Sequence, residues 1–119
     1  MLTKTNKSEV LIVPIVGLVI DPTRLKALLN VIIKFQLIVR LNNDVIGGNP
    51  CLPVYTLENE LLGYVRKDID KIKQLFSVYS NPFALAIKMN NKIILLELTF
   101  SHDKLYLEKL RKQVQLTKN

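Results

Sequence analysis

The chain has 119 residues, 49% apolar and 23% charged, which fits one folded domain with a core of its own and excludes a disordered chain. Lys and Arg outnumber Asp and Glu by 17 to 10, a net charge of +7, and such a surplus favours an anionic partner by steering polyanions and releasing counterions. The single cysteine, Cys51, and single histidine, His102, exclude an intrachain disulfide and a structural zinc site.

Residues 1–8 are polar, carry Lys4 and Lys7, and read as a flexible basic arm ahead of one domain, 9–119. Residues 9–20 are rich in β-branched side chains and predict a buried, central strand bent between Pro14 and Gly17. Its apolar run is too short to cross a bilayer, which takes about 20 residues, and it lacks a small-residue cleavage site. Neither a membrane span nor a leader is expected, and the lone thiol points to an intracellular, reducing compartment, cytoplasmic or nuclear.

Asp21-Pro22 opens a short helix, Asp as N-cap and Pro at the first helical position. Leu25, Leu28, Leu29 and Ile32 follow at helical spacing, with an end near Asn30. Residues 31–41 change period: Val31, Ile33, Phe35, Leu37, Val39 and Leu41 share one face, opposite Lys34, Gln36 and Arg40. Asn42-Asn43-Asp44 and Gly47-Gly48-Asn49-Pro50 supply a turn and a loop. Residues 53–57 make a short strand, Pro53 marking an edge or a start, and turn through Glu58-Asn59-Glu60 into a strand at 61–65.

Residues 67–79 are helical, with a stripe of Ile69, Ile72, Phe76 and Tyr79, Leu75 beside it, and Asp68 and Asp70 near the dipole's positive end. Strands at 83–89 and 92–100 flank Asn90-Asn91, a two-residue hairpin. Ser101 is set to cap a last helix, 102–116, with Leu107, Leu110 and Val114 inward and Lys104, Lys109, Arg111 and Lys112 outward. The order β-α-β-β-β-α-β-β-α predicts an α+β fold: a small curled, mainly antiparallel β-barrel of about six strands with two or three helices.

Catalysis is not expected. Cys51 has no base near it in sequence and sits between Pro50 and Leu52 as a small apolar filler. Glu58, Glu60, Asp68 and Asp70 fall at a turn tip and a first helical turn, where solvated carboxylates belong, so neither metal nor cofactor is expected. Gly47-Gly48 is followed by no Lys-Ser/Thr pair, so it is not a phosphate loop of the Walker kind. The corner Gly63-Tyr64-Val65-Arg66-Lys67 is the better site: an aromatic for stacking, then two cations ahead of a helix whose first amides can hold phosphate.

The chain from about Leu11 to Phe100 resembles a HIRAN domain, a small β-barrel fused to some SWI/SNF-type helicases and also found alone. Three blocks carry the resemblance: Ile15-Val16-Gly17-Leu18; the strand from Phe35 to Leu41 leading to Asn49-Pro50; and Val54 to Leu57, Glu58-Asn59-Glu60, then Leu61 to Val65 with its Gly63-Tyr64 corner. The resemblance implies a DNA-binding barrel without enzymatic activity. In that family the Asn-Pro loop continues with Tyr-Asp and grips a 3′ single-stranded end. Cys51 and Leu52 stand there instead, so the stacking ring and carboxylate for a 3′-hydroxyl are missing. The expected function is a non-enzymatic module for nucleic acid, single-stranded DNA or DNA ends above all. Its expected contacts are Arg66 and Lys67 to phosphate, Tyr64 in stacking, Asn49 shaping the loop, and Arg40 as a further wall. The alternative is an adaptor that docks an acidic protein through the basic C-terminal helix.

Overall fold

The computed structural model describes residues 8–31, 34–41, 44–46, 48–89 and 93–116. The N-terminal arm up to residue 7, Ile32 and Ile33, the Asn42-Asn43 turn, Gly47, the Asn90-Asn91 turn and Lys118 lie outside them. The elements are β1 (Ser8–Pro14), α1 (Pro22–Val31), β2 (Lys34–Val39), β3 (Asp44–Ile46), β4 (Asn49–Thr56), β5 (Leu61–Val65), α2 (Ile69–Tyr79), β6 (Phe83–Met89), β7 (Ile93–Ser101) and α3 (Lys104–Leu116).

The strands form one curled antiparallel sheet in the order β1-β7-β6-β2-β4-β3, with β5 on the other side of β4. The expected α+β class and curled antiparallel sheet are present with three helices; the sheet is a half-barrel, and its seventh strand is β3. That strand is only three residues long, beside a turn-forming Asn-Asn-Asp run, so no alternation announces it. It pairs with residues 49–51, which extends β4 back through a segment expected to be loop.

Pro53 therefore lies inside a strand rather than at its start. The Arg40 amide donates to the Pro53 carbonyl at 3.2 Å; the reciprocal bond is the one proline lacks. It falls where β4 changes neighbour, between the β3 pairs ending at Cys51 and the β2 pairs beginning at Val54. A missing donor is tolerated at such a junction.

The curl has two local causes. Register slips between Val54 and Tyr55, which pair with Gly63 and Leu61, so Leu62 is an extra residue in β5; a bulge of this kind sharpens twist. At the far side the chain after β1 crosses from β7 to β5. The Ile15 amide donates to the Ile94 carbonyl at 3.0 Å, and Val16 and Tyr64 then exchange two bonds of 2.8 Å. The Val19 amide takes the bulged Leu62 carbonyl at 3.0 Å. The expected bend at Pro14 to Gly17 is thus a change of partner, and it draws the two ends of the sheet together.

Inside lie Val13, Leu37, Val54, Leu62, Val65, Leu96, Leu98 and Phe100, all buried. Leu25 and Leu28 of α1 pack against this core, and Asp21 caps the helix as expected, its Oδ1 accepting from the Thr23 amide at 3.1 Å. Helix α2 buries Ile69, Ile72 and Leu75, while Phe76 meets Phe100 edge to face at 5.6 Å.

Helix α3 is more peripheral. Leu107, Leu110 and Val114 are half-buried against β2, β6 and β7. Its cap is Asp103 rather than Ser101: Asp103 Oδ1 accepts from the Leu105 and Tyr106 amides at 3.1 and 3.2 Å. Ser101 ends β7, buried, and its Oγ accepts from the Asp103 amide at 3.0 Å.

Candidate nucleic-acid interface

The corner begins with a close approach. A Cβ on Gly63 would lie 2.9 Å from Ile15 Cγ2 and 2.9 Å from the Val16 carbonyl oxygen. Only glycine lets β5 come this near to the crossing segment. On the other side of the pair, the Tyr64 ring rests on Gly17: a Cβ there would meet Tyr64 Cδ2 at 3.4 Å, and Gly17 itself sits at φ +61°. Tyr64 is half-buried by this contact.

Val65 is buried, and then the chain leaves the sheet with Arg66 and Lys67 exposed. Asp68 turns it into α2 from the left-handed region, φ 57° and ψ 33°, a conformation Asp adopts more readily than most side chains. The helix starts at Ile69, two residues later than the hydrophobic spacing predicts, and the Asp68 side chain caps none of its amides.

Around this first helical turn lies an open groove of 620 Å³ lined by Pro50, Arg66, Asp68, Ile69, Asp70, Lys71 and Lys73. Three cations and two carboxylates leave it a local balance of +1 (3 − 2), with Lys67 exposed at the same turn. Lys71 and Lys73 stand two apart, so helical periodicity places them on different sides and marks them only as solvated. It is the wrap of the groove about the helix start that gathers them with Arg66.

The other expected residues divide. Asn49 is exposed at the start of β4, paired with Ile46, and its neighbour Pro50 forms a groove wall. Arg40 belongs elsewhere. Its Nη2 donates to Asn59 Oδ1 at 3.1 Å, and its guanidinium carbon lies 5.0 Å from the Tyr55 ring centroid. It lines a separate depression of 510 Å³ with Gln36, Phe76, Asn81 and Pro82 among others. Tyr64 lines neither groove.

The four carboxylates weighed as a cluster are split by the fold. Glu58 and Glu60 each lie 3.2 Å from Arg24 of α1, which fastens that helix to the β4–β5 turn. Asp68 and Asp70 face the groove. Among the described residues no group of three or more His, Cys, Asp or Glu is placed to hold a metal ion. Cys51 is buried, and exposed His102 lies against Tyr79 at 4.5 Å between ring centroids. Among the described residues no helix is long and apolar enough to cross a membrane.

Comparison with models of known families, with curated proteins and with solved structures finds no match, and none identifies the chain as a HIRAN domain.

Proposed function

We propose that the chain is a non-enzymatic nucleic-acid-binding module of HIRAN-like kind that holds single-stranded DNA along the groove at the start of α2, inside the cell. The observation that carries this is the convergence of Arg66, Lys71 and Lys73 on one open groove beside Lys67, in a chain of net charge +7. Phosphates of a flexible strand can follow three cations whose spacing is set by a helix end, while the half-exposed Tyr64 offers a ring edge on the adjoining corner. Asp68 and Asp70 keep the groove from being a uniform anion trap.

The test is a titration of fluorescent single- and double-stranded oligonucleotides over a salt series. Single strands should bind with a log–log salt slope that drops by about 2 on replacing Arg66, Lys71 and Lys73 with Ala, at about 0.7 per phosphate contact. Absence of binding at low salt, or a slope unchanged by the triple replacement, refutes the reading. Blocking the 3′-hydroxyl should change little.

A second reading rests on α3. Lys104, Leu105, Lys109 and Lys112 are all exposed there, Leu105 to 76%, a mix of apolar and cationic groups suited to an acidic protein segment. An affinity capture that loses its partner on Lys109→Glu with Lys112→Glu, while oligonucleotide binding persists, would favour it.

A further inference from the structure

Strand β1, expected at the centre of the sheet, ends it instead, and among the described residues β7 is the only strand paired with it. Its hydrogen-bonding direction follows from two contacts. The Ile15 amide bonds Ile94 of β7, and Val16 exchanges both its bonds with Tyr64 on the opposite side. In an antiparallel pair the residues alternate between facing the neighbour and facing away. Hence Glu9, Leu11 and Val13 direct their backbone groups at β7. Ser8, Val10 and Ile12 direct theirs at the open edge, where Pro14 offers a carbonyl alone.

The same alternation sets the side chains. Val13 is fully buried and Leu11 half-buried on the inner face, whereas Val10 and Ile12 are 55% and 51% exposed. Natural sheets blunt such edges with lysine, bulges, short strands or a cover. Here the strand runs seven residues in unbroken register from Ser8↔Ser101 to Pro14↔Leu95, and Glu9 is its one charge.

We propose that β1 is a self-association edge, through which two copies of the chain pair antiparallel about a twofold axis at Leu11. This register sets Val10 of one copy against Ile12 of the other, twice by symmetry. Each is a residue with both donor and acceptor directed outward, so the bonds are reciprocal. It covers the two exposed apolar side chains with each other and places Leu11 beside its mate. Ser8 meets Pro14, whose carbonyl still accepts although it has no amide to donate.

Neighbouring registers are worse. An axis at Val10 leaves Ile12 facing Ser8, and a slip of one residue points outward groups at residues already bonded to β7. A second copy suits the edge because the segment is its own complement. Glu9 falls opposite Val13 rather than opposite another Glu9, and β1 itself contains no lysine, so the two paired strands set no like charges against each other.

The test is sedimentation equilibrium of the whole chain over a dilution series, with two variants. Val10→Pro removes a donor that faces only the open edge and leaves the β7 ladder whole. Ile12→Lys sets a charge on an already exposed position. A concentration-dependent dimer is expected. Each variant should weaken it at least about tenfold with an unchanged far-UV circular dichroism spectrum, whereas Leu105→Lys on α3 should leave it intact. If Val10→Pro fails to fold, Ile12→Lys decides. A chain that stays monomeric at every concentration, or a dimer unmoved by Ile12→Lys, overturns the proposal.

Discussion

Gly63→Ala tests whether the meeting of β5 with the crossing segment holds the barrel together. The added Cβ would stand 2.9 Å from Ile15 Cγ2 and 2.9 Å from the Val16 carbonyl oxygen. The first is a core side chain with little room, and the second is backbone, so neither moves aside alone. Overpacking of this kind costs about 1–3 kcal/mol. Shifting Val16 also costs one or both of its 2.8 Å bonds with Tyr64, each contributing about 1 kcal/mol net. The sum is about 2–5 kcal/mol. For 119 residues, an unfolding entropy of about 2.1 cal/mol/K per residue makes 1 kcal/mol about 4 °C. Thermal denaturation followed by far-UV circular dichroism should therefore show Tm lower by about 8–20 °C. Gly48→Ala is the control: its φ is +81° but a Cβ meets nothing within 4 Å, so only the backbone term of about 1–2 kcal/mol applies. A Gly63→Ala shift no larger than that of Gly48→Ala would refute the close approach as a stabilising contact.

Asp68→Asn with Asp70→Asn removes both carboxylates from the groove and should tighten oligonucleotide binding by up to about 30-fold, since each charge near a phosphate is worth about 1 kcal/mol in water. Unchanged affinity in the same titration would place the strand elsewhere. Asp103→Ala should lower stability by about 1 kcal/mol in urea denaturation, through loss of the cap on the Leu105 and Tyr106 amides; no change would return the capping role to Ser101. Cys51, 2% exposed, should react with a thiol-selective reagent more than about 100-fold slower in the native protein than in denaturant, because reaction waits on opening. A native rate near the denatured one would contradict its burial.

Much of the architecture was legible because it rests on local signals. The alternation around Phe35, Leu37 and Val39, the Asp21-Pro22 helix start and the apolar stripe of α2 each specify an element without help from the rest of the chain. The parts missed depend on partners distant in sequence. Pro50 reads as loop and Pro53 as an edge or strand start until β3 and β2 are seen to divide the edge of β4 between them. Arg40 reads as a further wall of the site, yet Asn59 and Tyr55 lie within its reach through the turn after β4. Gly17 reads as the end of a bend and Gly63 as the start of a corner, and nothing local says that Tyr64 lies over the first while the second makes room for Val16. For the site, the Arg66-Lys67 pair was visible as charge, whereas Lys71 and Lys73 join it only through the geometry of a helix start.

The corner and the open edge meet at one residue, the proline at position 14. Val16 and Tyr64 form a fully bonded antiparallel pair. The next such pair along the same two chains would be Pro14 with Arg66, two residues on in each direction. Pro14 has no amide to give on that side, so the ladder cannot continue with both its bonds. The chain departs from the sheet there, through exposed Arg66 and Lys67 and the left-handed Asp68, and the groove's cations stand at the point of departure. Because β5 has gone, the outward groups of Ser8, Val10 and Ile12 are left at the sheet's edge rather than sealed inside the barrel. The missing donor falls where the seam divides: a basic corner on the β5 side and, among the described residues, an unpaired strand edge on the β1 side.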